Sequence, residues 1–489
     1  MDQSHPQTTS RFEDSANRTP RGPARSLERA CVLVVLAVLA SCQSYEPRPL
    51  DPTAHREAWQ ARTLEGGSLH EFLERLEDRS DTTEEFDPTD GLSLREGQLV
   101  ALVYNPSVRI ARLRTGLAAA GAEQAGRWAD PRLEFAVLRI TDSVPDPWVI
   151  TPGLTFTLPL SGRLDAERGL AEAEQRVAVD AALEAEWSVW RDVRSTWIEW
   201  SAARLRAQET ERFVADMQGL VRTASELAER GEIERTEASL LRVEETQRRN
   251  QLRRLNGETD AWEQRLRGLM GLTPTAPIEL VPAIALPAAD EESATGLDAI
   301  ELRNPSLARL RGEYEVAEQA LRHEVRKQYP DLTLGPLFES DEGQSRIGLL
   351  GGIPIPFLNA NRRAIAEARA EREVARAAVE SKYQVLVSRW AAAMAQAESL
   401  ARQREEIVQV LVPLVDQQVA DALELMRLGE GDTTLVLLAS LTRDLQAKVD
   451  LIDTRAAEAL ARTEAAFLIG PELTPNGSQD PSGAAEEKQ

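Results

Sequence analysis

Cysteine is nearly missing from this 489-residue sequence: there are two, with only four histidines. Two cysteines exclude a disulfide-stapled scaffold, and four scattered histidines exclude a His-rich metal site. Aromatic residues make up 5% of the chain, and basic residues fall short of acidic ones, 57 against 80, for a net charge of −23. Nucleic-acid binding needs a basic face, so no nucleic-acid partner is expected. There is no phosphate loop, no Cys/His ligand set and no strand–turn–helix presenting a nucleophile. His55, His70 and His323 stand isolated. Neither a catalytic residue nor a cofactor is expected, and the chain does not read as an enzyme. Long apolar runs are lacking as well; none reaches the roughly 18–20 residues of a membrane-spanning helix. What abounds is alanine, leucine, arginine and glutamate, with 28% of residues charged, the profile of long helices and coiled coils.

The longest apolar run, ACVLVVLAVLA at residues 30–40, follows Arg18, Arg21, Arg25 and Arg29. A basic stretch before a short apolar core is the pattern of a secretory signal, here residues 1–41. It ends in Leu39-Ala40-Ser41-Cys42, which resembles a bacterial lipobox. That resemblance implies that Cys42 is acylated and becomes the new N-terminus. The alternative is a plain signal peptide that happens to place a cysteine there. Gln43 is compatible with sorting to the outer membrane of a Gram-negative cell. Two or three acyl chains exceed the marginal hold of one, so the anchor would be stable. Cys31 leaves with the signal.

The remainder is duplicated. Asn105-Pro106-Ser107 recurs as Asn304-Pro305-Ser306, an offset of 304 − 105 = 199. Pro131 and Pro330, Gly153 and Gly352, Arg163 and Arg362, and Gly271 and Gly470 keep the same offset. Markers of several kinds holding one offset indicate a repeat. The expected organisation is an extended linker at 42–91, a first repeat at 92–272, a Pro/Ala/Glu linker at 273–296, a second repeat at 297–470 and a polar, disordered tail at 471–489.

Each copy has the same order. A helix begins near Leu94 or Leu297, with the Asn-Pro as a kink or restart, and runs to about Trp128 or Gln328. Two strand-like segments follow, marked by Leu133, Phe135, Val137 and Leu154, Phe156, Leu158, and in copy two by Leu332, Leu334 and Ile347, Leu349, Ile353, Ile355. Turn residues between the partners make each pair a hairpin. Next come 163–230, without proline, and 362–428, with one break signal at Pro413. At 1.5 Å per residue each would span about 100 Å. Gly231 and Gly429 then reverse the chain into returning helices of about 40 residues, with heptad spacing at Phe213, Met217, Leu220, Ala224 and Leu227. The class is mainly α with a small β part.

Four strands of about 10 residues match the length of tilted transmembrane strands but cannot close a barrel, which needs at least eight. The chain must therefore oligomerise, giving 8, 12 or 16 strands in a dimer, trimer or tetramer. Signal, lipobox, Asn-Pro, hairpin, long helix, glycine turn and returning helix, all but the first two duplicated, resemble the TolC-type outer-membrane efflux channel family over nearly all of residues 92–470. The resemblance implies a homotrimer with a 12-stranded β-barrel in the outer membrane and an α-helical tunnel crossing the periplasm. It also implies docking to a periplasmic adaptor that links the channel to an inner-membrane pump. A lipid-anchored coiled-coil envelope protein without a pore is the alternative, but it has no use for membrane-length strand pairs.

By the same resemblance, the turns bearing Arg230, Gly231, Glu232 and Thr236, and Gly429, Glu430 and Asp432, are the periplasmic tips that meet the adaptor. An ordinary glycine cap explains them equally, and the two readings are compatible. Where some relatives carry gating aspartates, this chain has Leu435 and Leu438. That departure fits a hydrophobic constriction, or plain heptad core positions. Glu232, Glu234, Glu430 and Asp432 are either an entrance favouring cations or a solvated acidic tip. Trp187, Trp190, Trp197 and Trp200 lie near one helix stripe, as expected for packing between helices. Trp148 is a candidate for an aromatic belt at the membrane interface.

Overall fold

A computed structural model describes residues 45–64, 66–77, 86–141, 147–286, 296–341, 344–428 and 433–471. The chain divides into two compact units, residues 1–58 and 59–489. In the first, residues 45–50 are exposed coil. Helix α1 (Pro52–Gln60) then starts where the Asp51 carboxylate accepts from the amides of Thr53 and Ala54, each at 3.0 Å. Helix α2 (Gly67–Glu77) follows in the second unit. Residues 42–91 are thus partly helical where an extended linker is expected. The lipobox lies outside the described residues.

The second unit is built on the duplication. Helix α3 (Leu94–Tyr104) opens with a capping box, in which the Ser93 hydroxyl accepts from Glu96 N–H and the Glu96 carboxylate accepts from Ser93 N–H. It stops at Asn105, and α4 (Pro106–Gln124) starts from the same residue. The pair α7 (Gly296–Arg303) and α8 (Pro305–Lys327) repeats this around Asn304. The Asn-Pro is therefore a restart: proline has no N–H to continue the first helix yet suits the first position of the next.

Both asparagines also tie down the far end of their repeat. Asn105 Nδ2 donates to Leu269 O and Asn304 Nδ2 to Leu468 O, each at 2.7 Å and with acceptors again 199 apart. Beside them Gly271 (φ +68°) and Gly470 (φ +111°) turn the chain, and an added Cβ would lie 2.2 Å from Tyr104 O or Arg303 O. Only glycine fits both the backbone angle and that approach.

Strands β1 (Arg132–Arg139) and β2 (Trp148–Leu158) form the first hairpin; β3 (Leu332–Asp341) and β4 (Gln344–Gly352) form the second. β2 also pairs antiparallel with β3, so both repeats share one sheet of order β1-β2-β3-β4. β4 stops before Ile353, earlier than its apolar pattern suggests: its pairing ends at Gly352 opposite Thr333, beside the start of β3 at Leu332, and Pro354 and Pro356 lie just beyond.

From the sheet each copy enters its rod through a left-handed residue: Gly162 at φ +69° and, 199 later, Asn361 at φ +55°. Asparagine is the usual substitute for glycine there, and Asn361 Nδ2 also donates to Glu324 Oε2 at 2.7 Å. Helix α5 (Arg163–Arg230) is continuous over 68 residues. Its counterpart is α9 (Arg362–Glu406), a π-helical stretch Ile407–Leu411 and α10 (Val412–Leu428). The break falls just before Pro413, whose missing N–H and ring clash disturb the preceding turn. The returning helices are α6 (Arg235–Leu269) and α11 (Thr433–Ile469).

The largest core cluster joins α3, α5 and α6 through Val100, Val193, Trp197, Leu266 and Met270. Residues 272–286 lie along it, with Leu92 bridged to Leu280 and the Trp197 indole donating to Val281 O at 3.2 Å. A second cluster links Phe213, Met217 and Ala224 to Leu241 of α6 and Leu445 of α11. If the asparagines are equivalent locks, Asn105→Ala and Asn304→Ala should each lower stability by about 1–3 kcal/mol. Thermal unfolding followed by circular dichroism would measure this, and an effect at one site alone would contradict the equivalence.

Candidate conduit surfaces

Register sorts the sheet into two faces, because directly opposed residues share a side and neighbours along a strand alternate. Leu133 opposes Leu154, Phe135 opposes Pro152, and Val137 opposes Ile150. Phe156 opposes Leu334, and Leu334 opposes Gly351. Phe338 opposes Ile347, and Pro336 opposes Leu349. One face is thus apolar across all four strands, with Leu133 72%, Phe135 74%, Ile347 85% and Leu349 75% exposed. Among the described strand residues its single charge is Arg139, at the end of β1, its guanidinium 5.7 Å from the Trp148 ring centroid. The other face carries Thr151, Thr155, Thr157, Thr333, Glu134 and several glycines, with an ion pair from Arg346 to Glu339 at 3.1 Å. Lone apolar residues on a surface are ordinary, but a continuous apolar sheet face calls for an apolar partner phase.

At the opposite end of α5, the Gly231 turn (φ +76°) is a Schellman cap: Glu232 N–H donates to Leu227 O at 2.9 Å and Gly231 N–H to Ala228 O at 3.2 Å. Arg230, Glu232, Glu234 and Thr236 are exposed, while Ile233 tucks against the second core cluster. The Thr236 hydroxyl donates to Glu234 at 2.8 Å. The cap therefore offers polar side chains outward from a fixed backbone. Gly429, Glu430 and Asp432 lie outside the described residues. Leu435 is exposed at 41%, whereas Leu438, one turn on, packs into the second core cluster.

The tryptophans pack between helices, as their stripe suggests. Trp187 stacks on Trp190 with ring centroids 4.3 Å apart, and its indole donates to Phe467 O at 2.9 Å. Trp197 and Trp200 meet edge to face at 5.7 Å. Trp148, on the apolar face of the sheet, is half-exposed.

One polar cluster is invisible in the sequence. Arg206 on α5 pairs with Asp453 of α11 at 3.2 Å and with Glu258 of α6 at 3.4 Å. Glu199 lies nearby on α5. Burial raises the Glu199 and Asp453 carboxyls above the usual range; Arg206 opposes the shift, and neighbouring carboxylates add to it. Its members are scattered along the chain and have no motif spacing. Only the three-helix packing assembles them. Among the described residues, no group of His, Cys, Asp and Glu is arranged to hold a metal ion.

A carboxyl raised on folding binds its proton more tightly when folded. Its stabilising effect is therefore present at low pH and lost as pH rises through the raised value. Glu199→Gln should raise the apparent melting temperature at pH 7 by ~1–2 °C, a small effect because the site is half open to solvent. The difference should shrink as pH falls toward 4.5, the ordinary glutamate value. A constant difference across that interval, in melts at matched ionic strength, would rule out the titration.

Residues 100–272, most of the first repeat, match the outer membrane efflux protein family. Solved structures extend the likeness. A membrane protein from Pseudomonas aeruginosa is 18% identical over 77% of this chain and 90% of its own, with a TM-score of 0.67. The outer membrane protein VceC from Vibrio cholerae is 17% identical over 77% of this chain and 96% of its own, TM-score 0.64. The CmeC outer membrane channel of Campylobacter jejuni is 14% identical over 80% and 89%, TM-score 0.65. No curated protein matches the chain by sequence. Residues 100–272 thus resemble the outer membrane efflux protein family, and the chain as a whole shares its fold with these solved structures.

Proposed function

We propose that the chain is one third of a trimeric conduit through the outer membrane, serving as the exit channel of a tripartite efflux or secretion system. The observation that carries this is the sheet: four membrane-length strands, one apolar face, one polar face and two outer edges that pair with no other strand among the described residues. In hydrocarbon an unpaired edge is untenable, and closure is the only remedy for strands. Three copies give twelve strands, with the apolar face toward lipid and the threonine-rich face toward water. The rods continue the water-filled path into the periplasm. A pore-less tether leaves the apolar sheet face without purpose.

In this reading the protein performs no chemistry and binds no cofactor. It removes the desolvation barrier that a membrane sets against polar solutes, and an inner-membrane pump supplies the energy. The tips bearing Arg230, Gly231, Glu232 and Thr236, and Gly429, Glu430 and Asp432, meet a periplasmic adaptor. Acylated Cys42 adds a lipid anchor in the outer membrane. Leu435, exposed on α11 just past the tip, narrows the tunnel mouth with an apolar ring that resists wetting, and Leu438 supports it from behind.

Purified protein in planar bilayers should conduct ions as a trimer, and Leu435→Ser together with Leu438→Ser should raise the conductance several-fold. A trimer silent in both forms would overturn the conduit. For the anchor, Cys42→Ala should abolish incorporation of radiolabelled palmitate; equal labelling of the two proteins would sink acylation at that residue.

A further inference from the structure

Where the sheet meets the rods, the chain reverses its charge. The segments at this junction, 127–132, 159–163, 326–331 and 359–363, hold seven arginines and lysines against two aspartates, in a chain of net charge −23. At the other end of the sheet, the stretches joining the strands, 140–147 and 342–343, hold three acidic residues and no basic one. The collar of positive charge therefore has a place, beside the rods and not beside the turns.

On the helices, Arg112, Arg309 and Arg372 each meet a carboxylate of a neighbouring helix. At the junction Arg163 is matched in the same way, to Asp331 at 3.0 Å. Arg326 is different. It is exposed in the last turn of α8, it meets no carboxylate among the described residues, and its guanidinium donates to Ser161 O at 3.4 Å. Its first-repeat counterpart, Arg127, is likewise exposed and without a carboxylate partner among the described residues.

Beside Arg326 a cavity of about 370 Å³ opens among Leu160, Ser161, Tyr329 and Pro330. That volume falls in the range of small-molecule sites, roughly 300–1,000 Å³. The cavity lies at the foot of the β2–β3 seam, where Leu158 opposes Leu332 on the apolar face, and so away from the outer edges of the sheet. Leu160, two residues past Leu158, is 68% exposed, and Tyr329 is half-exposed. In the proposed conduit this is the level at which hydrocarbon gives way to water, where a phospholipid presents its phosphate and an amphipathic tyrosine is at home.

We propose that this cavity binds the headgroup of an anionic phospholipid. Arg326 offers the phosphate a planar fork of N–H donors, and the Tyr329 hydroxyl is a further donor in the same lining. Leu160 and Pro330 receive the glycerol and the first methylenes. No carboxylate lines the cavity to receive the ammonium of a zwitterionic headgroup, and Asp331, next in sequence, is already held by Arg163. The rest of the collar adds a positive field that draws anionic lipid toward it. A free phosphate would satisfy Arg326 but leave Leu160 and Pro330 facing water.

The inference rests on the outer-membrane reading, and the experiment separates the two. Full-length protein in detergent is incubated with phosphatidylglycerol, phosphatidylcholine or inorganic phosphate, and bound molecules are counted by native mass spectrometry. Phosphatidylglycerol should be retained in preference to both of the others. Arg326→Gln removes one charge-assisted contact and should weaken retention roughly tenfold. Arg363→Gln, whose partner is Glu367 and which does not line the cavity, should leave retention near the wild-type level. A second measurement needs no variant: in phosphatidylcholine vesicles doped with photoactivatable phosphatidylglycerol, the wild-type chain should be labelled within 159–163 and 326–330. Equal retention of the two lipids, unchanged retention by Arg326→Gln, or labelling confined to other segments overturns the site. Inorganic phosphate bound as tightly as phosphatidylglycerol overturns the lipid assignment. A conducting trimer alongside any of these results keeps the conduit and loses the site, whereas a wild-type chain that enters no bilayer overturns both.

Discussion

The outer edges of β1 and β4 each carry a row of backbone N–H and C=O groups that no other strand among the described residues pairs. The sheet between them presents a continuous apolar face. These two features are incompatible in one isolated copy. Water would satisfy the edges but not the face, and lipid would satisfy the face but not the edges. Association of like copies resolves both at once, because every edge becomes a seam while the face stays outward. In the proposed conduit the four-strand sheet is a fraction of a structure that like copies complete.

The rods need a different device. A helix of 68 residues has little of its own to fix the direction in which it leaves a sheet or meets its returning partner. The chain supplies the same lock twice. An asparagine caps a short helix and also holds the last carbonyls of the returning helix, and a left-handed glycine packs where any side chain would collide. At the sheet end, Gly162 and Asn361 set the matching bend. At the far end, the Schellman cap at Gly231 closes α5 with backbone bonds alone, which leaves the tip's side chains free for a partner.

Much of this was legible in the sequence because the duplication wrote it twice. The 199 offset marks residues under backbone constraint, and such residues change least freely: the capping asparagines, the close-approach glycines, the left-handed turns. Helix lengths were readable from missing proline, and the hairpins from alternation. What escaped has physical reasons. The π-helical stretch before Pro413 is one of several ways to accommodate a proline, and residue type does not choose among them. The end of β4 depends on which edge bonds are available, a tertiary matter. The Arg206 cluster draws on three helices and leaves no local signature. The helix at 67–77 does carry helical apolar spacing, at Leu69, Phe72, Leu73 and Leu76, but it and the helix at 52–60 are short and lie outside the duplicated part, so their segment reads as linker.

The two copies share a scaffold but not a core, and the difference is instructive. At the positions of Trp187, Trp190, Trp197 and Trp200 the second copy has Leu386, Arg389, Gln396 and Ser399. The first copy buries Trp197 and Trp200 against α3, α6 and the stretch after Leu272, all from its own part of the chain, whereas Trp187 reaches across to Phe467 of the second. Along α9 the buried residues are Ala368, Leu386, Ala393 and Ala397, a thin core for 45 residues. Small residues suit close helix packing but supply little apolar area, so most of what α9 can bury lies elsewhere. Val374, at 69% exposure, and the bare side of α4 are complementary remainders of this kind. The first copy holds the larger core of its own and the second the smaller, and shared clusters join the two. In the proposed trimer a neighbouring copy covers the less filled half, which ties its stability to assembly.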